Sequence, residues 1–315
     1  TFKLHYKIES KFLDHIDLDA ARTYYKHTEY ESANVIGAEF RLLDYNLFAN
    51  LLHNETGIFN SGTFGVSFET RNFNIGGYVF TPPVNSYNTA LYVSEELRAS
   101  DDLSVEVSGR FDNNIIKPQQ QVQLANLDTV YQRKFNTFSV SASAIYKLGK
   151  WWSAGLSLSR SSRVPTIEEL YSDGPHLAAY SYEIGNPKLD PENAIGSELF
   201  VYYKDDTKYA MLTSFYNEIS GYIIPRNTGI VNVATLLPVY QTTGVNALLA
   251  GFEAQLELKL SKKFEFSSSL SYTYGEIKNT SSPLPQIPPM KGESGLTFTT
   301  GKLVLGVSSE YAAAQ

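Results

Sequence analysis

The chain has 315 residues, with 26 lysines and arginines against 33 aspartates and glutamates, 22 tyrosines, 18 phenylalanines and no cysteine. The missing cysteines exclude a disulfide framework, a thiolate metal centre and a catalytic thiol. A net charge of -7 with no concentrated basic face excludes nucleic acid as a partner.

Phe2, Leu4, Tyr6 and Ile8 alternate with Lys3, His5, Lys7 and Glu9, the period of two of a strand with unlike faces. A turn at residues 11–14 leads to a second strand reaching about residue 28, whose outer end, with His27, Glu29 and Glu31, reads as a polar loop. A return strand to about His53, a turn at 54–62 and a strand at 63–71 with Phe64, Val66 and Phe68 on one face come next. Residues 72–85, with Gly76-Gly77 and Pro82-Pro83, read as a loop. Residues 87–99 descend, 100–102 turn, and Leu103, Val105, Val107, Gly109 and Phe111 rise against Ser104, Glu106, Ser108, Arg110 and Asp112. Residues 113–130, rich in Asn and Gln, read as a long loop. Phe138, Val140, Ala142, Ala144, Tyr146 and Leu148 descend to a short turn at Gly149-Lys150, beside which Trp151 and Trp152 stand where an interfacial aromatic belt places them, and Trp152, Ala154, Leu156 and Leu158 rise after it.

The longest irregular segment, 163–193, follows, then strands at 194–204 and 209–225 joined by a turn at Asp205-Asp206, and a loop to residue 238. The clearest stretch is 252–274. There Phe252, Ala254, Leu256, Leu258 and Leu260 oppose Glu253, Gln255, Glu257 and Lys259; after a turn at 261–263, Phe264, Phe266, Ser268, Leu270, Tyr272 and Tyr274 oppose Glu265, Ser267, Ser269, Ser271 and Thr273. A proline-rich loop at 281–289 and strands at 295–300 and 303–311 complete the chain.

The strands are about ten residues long, roughly what a tilted strand needs to cross a bilayer core, whereas the mean soluble strand has about five or six. No apolar run reaches the roughly eighteen residues of a membrane-spanning helix. Short turns and long loops alternate, so they gather at opposite ends, as periplasmic turns and extracellular loops do in outer-membrane barrels. The pattern predicts an all-β chain, a transmembrane antiparallel β-barrel of about fourteen strands in one domain over residues 1–315, with small polar residues and charges facing a wet lumen.

The segment 163–193 opens with Ser162-Arg163-Val164-Pro165-Thr166-Ile167-Glu168-Glu169-Leu170-Tyr171, continues through Ser172-Asp173-Gly174-Pro175-His176-Leu177, and closes with Glu183-Ile184-Gly185-Asn186-Pro187-Lys188-Leu189-Asp190-Pro191-Glu192. It resembles the TonB-dependent outer-membrane receptors, whose barrels carry an Arg-Ala-Pro-like box before such a loop and an Asn-Pro-Asn-Leu box after it. Val164 and Lys188 depart mildly from those boxes. The resemblance implies the bacterial outer membrane, a barrel of twenty-two strands around an N-terminal plug, and transport without catalysis. It also implies five strands before residue 1 and three after residue 315, so that both ends of the chain read as cut and the plug lies outside it.

The wording around Gly174-Pro175-His176-Leu177 and Tyr182-Glu183-Ile184-Gly185, with Tyr25-Lys26-His27-Thr28-Glu29 and Phe80-Thr81-Pro82-Pro83, is similar to the zinc-receptor branch. A histidine between the boxes is also what haem receptors use as an axial ligand, and both readings select His176. Zinc takes imidazole nitrogen and carboxylate oxygen, so His27, Glu29 and Glu31, at the same end of the barrel, are the candidate partners of His176. The resemblance thus implies zinc or haem as cargo, with siderophore next and no prosthetic group, a monomer in outer-membrane lipid and lipopolysaccharide, and coupling to a TonB-ExbB-ExbD type complex through the plug. Read without the resemblance, a loop histidine and nearby carboxylates are solvated polar residues. Two other readings compete: a passive fourteen-stranded channel for small or apolar solutes, and a rim enzyme built on Ser172, Asp173 and His176, which four neighbouring loop residues are poorly placed to form. Glu168-Glu169 reads as a solvated helical turn after Pro165.

Overall fold

Alternating faces build strands, and strands with an apolar outer face need a ladder partner on each side, so the chain folds as successive hairpins. The structure, a computed structural model, describes residues 1–77, 81–119, 126–127 and 130–314, the side chains of Glu31 and Ala178 excepted; Phe80 therefore lies outside the described residues. The strands are β1 (Phe2–Lys7), β2 (Leu13–Ser32), β3 (Val35–His53), β4 (Phe59–Gly77), β5 (Val84–Arg98), β6 (Leu103–Pro118), β7 (Arg133–Lys147), β8 (Trp152–Arg163), β9 (Asp173–His176), β10 (Ser181–Ile184), β11 (Glu192–Lys204), β12 (Lys208–Val231), β13 (Pro238–Lys259), β14 (Phe264–Ile277), β15 (Ser282–Pro283), β16 (Lys291–Thr300) and β17 (Leu303–Ala312). One short helix, α1 (Ile167–Tyr171), lies between β8 and β9.

Of these seventeen strands, β9, β10 and β15 are short loop pieces, which leaves the fourteen that the alternation predicts. The fourteen pair antiparallel in chain order, β8 joining β11 and β14 joining β16 across the short pieces. Among the described residues β1 pairs only with β2 and β17 only with β16, and both edge strands are exposed along their length. The sheet is curved. β5 and β12 would stand about 24 Å apart in a flat sheet with strands about 4.8 Å apart, yet one apolar cluster joins Val84 of β5, Ile116 of β6, Phe135 of β7 and Ile223 of β12 to Ile167, Leu170 and Tyr171 of α1.

The two faces divide as the alternation requires. Phe64, Val66 and Phe68 of β4 and Leu91 of β5 are exposed on the outer face, as a lipid-facing band must be. On the inner face Arg71 binds Asp44 (Nε–Oδ1 3.2 Å) and Arg110 binds Asp112 (Nε–Oδ2 2.8 Å). In β13 and β14, Phe252 and Tyr272 meet on the outer face with ring centroids 6.0 Å apart, while Gln255 donates to Glu257 (2.9 Å) on the inner one. Trp152 packs edge-on to Tyr203 at 5.0 Å, and the Lys150 ammonium stands 4.3 Å from the centre of the Trp151 ring, at the short-turn end.

The strands are longer than the alternation predicts. β2 has 20 residues, β12 has 24 and β13 has 22. The ladder continues past the level where lipid demands an apolar face, so the sequence loses its period while the backbone keeps its hydrogen bonds. Four expected loops are corrected by this, the one before residue 238 because β12 runs to Val231. His27, Glu29 and Glu31 lie within β2, whose hairpin with β3 turns only at residues 33–34; β4 runs through Gly76-Gly77; and β6 runs to Pro118. In β6 the asparagines that suggested a loop pair across strands, Asn88 donating to Asn114 (2.8 Å) and Asn113 to Asn136 (2.7 Å).

Candidate functional site

The segment between β8 and β11 does not project as a free loop; it folds inward and seats on the concave face. Thr166 caps α1, its hydroxyl accepting the Glu169 N–H (3.2 Å) while the Glu169 carboxylate accepts the Thr166 N–H (2.7 Å), a reciprocal capping box. Five residues suffice because Ile167, Leu170 and Tyr171 fall on one face and are buried against β5, β6, β7 and β12. The Tyr171 hydroxyl donates to the Tyr131 carbonyl (2.8 Å), and burial raises its pKa.

The second box closes over the end of this helix. Gly185 N–H donates to the Ser172 carbonyl (2.7 Å) and Asn186 N–H to the Glu169 carbonyl (2.8 Å), which satisfies carbonyls that a helix end leaves unpaired. Only glycine permits the approach, since a Cβ at Gly185 would stand 2.7 Å from the carbonyl carbon of Leu170.

Charge then fastens the segment to the wall. Arg163 forks onto Glu192 (Nε–Oε2 and Nη2–Oε1, both 2.7 Å) and onto Glu169 (Nη1–Oε2 2.9 Å, Nη2–Oε1 3.0 Å). Glu192 also accepts the Ile223 N–H of β12 (2.7 Å). Glu169 is thus a structural anion, not the solvated residue expected. Across the lumen face Arg133 donates to the carbonyls of Pro187 and Leu189 (2.8 Å to the latter), Tyr131 to that of Pro187 (3.2 Å) and Gln241 to that of Gly185 (3.0 Å). Both sequence boxes therefore act as anchors, and the two departures are absorbed: Val164 packs on the apolar cluster, and the Lys188 backbone N–H closes a turn onto Asn186 Oδ1 (2.9 Å). Arg133 and Tyr131 were not singled out by sequence, because their partners are backbone groups more than fifty residues away.

Between the anchors stands the β9–β10 hairpin. β10 runs parallel to the tip of β13, with Tyr182 opposite Val239 and Ile184 opposite Gln241. Buried Asp173 accepts from Asn126 N–H (2.9 Å), Asn126 Nδ2 (2.7 Å) and the Tyr182 hydroxyl (3.1 Å). Burial first, and then the Asp173 charge, push Tyr182 up to about 12.

His176, at the end of β9, meets Glu183 of β10 (Nδ1–Oε1 2.9 Å), and Ser181 donates to the same oxygen (3.0 Å). The imidazole is 40% exposed, so one nitrogen and one carboxylate oxygen stand together at an accessible place. Glu183 is the partner the sequence reading missed; the antiparallel register that brings residues 176 and 183 together is its only signal. His27 stacks on Phe40 (6.0 Å) and lies 3.5 Å from Glu29 Oε1 on β2. The Glu31 side chain lies outside the described side chains. Among the described residues no group of three ligating side chains includes His176 or His27. Ser172, Asp173 and His176 do not converge: Asp173 serves Asn126 and Tyr182, His176 serves Glu183, and the buried Ser172 hydroxyl has no hydrogen-bond partner among the described residues. Beside α1 a cleft of about 320 Å³ is lined by Glu69, Arg71, Phe73, Asn88, Asn114 and Glu168, a mixed polar and aromatic surface open to the lumen.

Comparison with known proteins agrees with this architecture. The sequence pattern of the family described as TonB dependent receptor-like, beta-barrel matches residues 3–315. The iron-regulated outer membrane virulence protein of Vibrio cholerae serotype O1 is 30% identical over 173 residues, 52% of this chain and 26% of that protein. The ferric enterobactin receptor PirA of Pseudomonas aeruginosa is 25% identical over 167 residues, 48% of this chain and 22% of that one. In fold, the copper transporter OprC superposes with a TM-score of 0.82 at 17% identity, over 98% of this chain and 50% of its own. The chain thus spans between about a quarter and a half of the length of these three proteins.

Proposed function

We propose that this chain, which belongs to the TonB-dependent receptor β-barrel family, is the wall and gating loop of an energy-coupled importer of a scarce metal ion or metal chelate. Membership sets the chain in the bacterial outer membrane, where its exposed apolar face meets lipid and lipopolysaccharide. The cargo binds at the outer mouth, a plug closes the lumen, and a TonB-ExbB-ExbD type complex draws on the plug to admit it. The protein acts as a monomer, holds no prosthetic group and performs no covalent chemistry.

The observation that carries this reading is the anchored loop: Arg163, Arg133 and the α1 cluster fix its base, while His176 and Glu183 stand half exposed on its hairpin. An imidazole nitrogen and a carboxylate oxygen suit Zn²⁺, and two protein ligands leave the ion free to move on. His27 and Glu29 form a second nitrogen–oxygen pair on β2 at the same end of the barrel. A ferric chelate or haem is the second reading, favoured by the iron-regulated and enterobactin-binding relatives; the cleft lined by Arg71, Phe73 and Asn114 offers such a ligand polar and aromatic contacts. The passive channel fits poorly, because Arg110, Asp112, Asn88 and Asp44 line the inner face and the loop occupies part of it.

Growth of a strain depending on the full-length receptor, on limiting zinc, haem or ferric siderophore, tests this. His176→Ala and Glu183→Gln should impair growth on one of the three and spare the others. Growth unchanged on all three would remove His176 from the transport site.

A further inference from the structure

A second cluster of ligating side chains lies at the opposite end of the wall. His5 of β1 and His15 and Asp17 of β2 have ligand atoms all within 4.8 Å of one another. The antiparallel register sets His5 opposite Asp17 and Lys7 opposite His15, two residues along the same face. Asp17 in turn lies opposite Asn50 of β3, which accepts from the hydroxyl of Tyr92, a side chain on the same face as Arg110. The cluster therefore faces the lumen, next to the short turn at residues 8–12.

Its geometry is that of a cation site. The Asp17 carboxylate is shared between two imidazoles, Oδ1 with His5 Nδ1 at 2.7 Å and Oδ2 with His15 Nε2 at 3.2 Å, and the two rings lie 4.3 Å apart. His15 is mostly buried, and its other nitrogen, Nδ1, meets Asp14 Oδ2 at 2.8 Å. A carboxylate on the far nitrogen is what orients a metal-binding histidine and raises its basicity. The surrounding charge agrees. Asp14, Asp17 and Asp19 outnumber Lys3 and Lys7, and Lys3 is drawn to Asp19 at 3.5 Å.

We propose that His5, His15 and Asp17 form a divalent-cation site of the zinc class at the turn end of the lumen, with Asp14 as the positioning residue of His15. Two imidazoles and a carboxylate are three ligands of borderline-to-hard character, which select Zn²⁺ over Mg²⁺ or Ca²⁺. The fourth position is left to water, so an ion held there exchanges. The site stands apart from His176, and neither assignment depends on the other.

The test uses the full-length receptor in detergent micelles, stripped with chelator and titrated with Zn²⁺ by calorimetry and with Co²⁺ as a visible-absorption probe. Wild type should bind at this site one equivalent, beyond any held at His176, that His5→Ala and Asp17→Asn each lose, with Co²⁺ giving the intense bands of four-coordination, and excess Mg²⁺ should not displace it. Asp14→Asn should keep the equivalent but weaken it about 10- to 100-fold. His176→Ala should leave it untouched, which separates this site from the proposed transport ligand. His5 is an exposed side chain, so its removal leaves folding intact, and heat-modifiable gel mobility checks that. Equal stoichiometry and affinity in wild type and His5→Ala would overturn the proposal and reduce the cluster to a hydrogen-bonded network. An unchanged affinity in Asp14→Asn would remove Asp14 from its role.

Discussion

Replacing Arg163 by alanine should release the lumen loop while leaving the barrel intact. The side chain makes four charge-assisted hydrogen bonds to two carboxylates. Removing one partner of a buried ion pair costs about 3–5 kcal/mol because the other charge stays buried, whereas an exposed pair is worth about 0–1. Here the carboxylates are mostly covered, the Glu192 side chain 11% exposed and that of Glu169 23%, but the guanidinium is 44% exposed. The expected cost is therefore intermediate, about 2–3 kcal/mol. It falls on the docking of residues 164–191, since the strands on either side keep their ladders. A local opening easier by that amount is populated about 30- to 140-fold more. Hydrogen exchange on the full-length receptor reads this directly. The amides of Gly185 and Asn186, bonded to the Ser172 and Glu169 carbonyls, should lose protection by that factor, and those of Phe252 and Ala254 should not. Arg163→Lys should recover only part of the loss, because an ammonium cannot fork onto two carboxylates. Unchanged protection at Gly185 and Asn186, or an equal loss in β13, would refute the anchoring role.

Three further outcomes follow from the wall and the loop. Leu256→Arg, on the lipid face opposite Ala210 and Ser268, should destabilise the barrel by roughly 2–4 kcal/mol in a folding titration, while Glu257→Gln on the lumen face should be nearly silent; equal costs would count against the assignment of faces. An epitope tag at residues 232–237, between β12 and β13, should bind antibody on intact cells, and one at 205–207 only after the outer membrane is ruptured; the reverse pattern would invert the orientation. Tyr182, held protonated up to about 12 against an ordinary value of about 10, stabilises the hairpin fully below pH 10, and that contribution disappears as the pH rises through 12. Tyrosinate absorbance should accordingly lose a late-ionising component in Tyr182→Phe, and a titration curve that keeps it would contradict the buried contact with Asp173.

Alternation made the membrane-level strands legible, as at 252–274, because lipid on one side and water on the other enforce a period of two. It could not show that β2 continues to Ser32 or β6 to Pro118, where both faces meet water and only the backbone ladder persists. The two boxes marked the segment that folds inward between β8 and β11, and His176 ends the β9 strand within it. Their physical role was hidden, since the residues that explain them, Arg133, Tyr131, Gln241 and Ile223, come from β7, β12, β13 and the approach to β7, and meet the loop only once the sheet has curved. Glu183 was hidden for a local reason: residues 176 and 183 become neighbours only if the chain reverses between them, and Tyr180 makes that reversal with a positive φ of 51°, which a tyrosine seldom signals.

The 24 residues of β12 rise about 79 Å at about 3.3 Å per residue, and about ten of them suffice for the hydrocarbon core. The remainder stands outside as a ladder shared with β13 and buttressed by β10. What a large molecule meets there is a stiff, twisted ribbon with its side chains set by register. Recognition of this surface is consequently conformational: a linear peptide copying the tip lacks the ribbon's fixed spacing and competes poorly, so that an immunogen made from it must carry the hairpin intact.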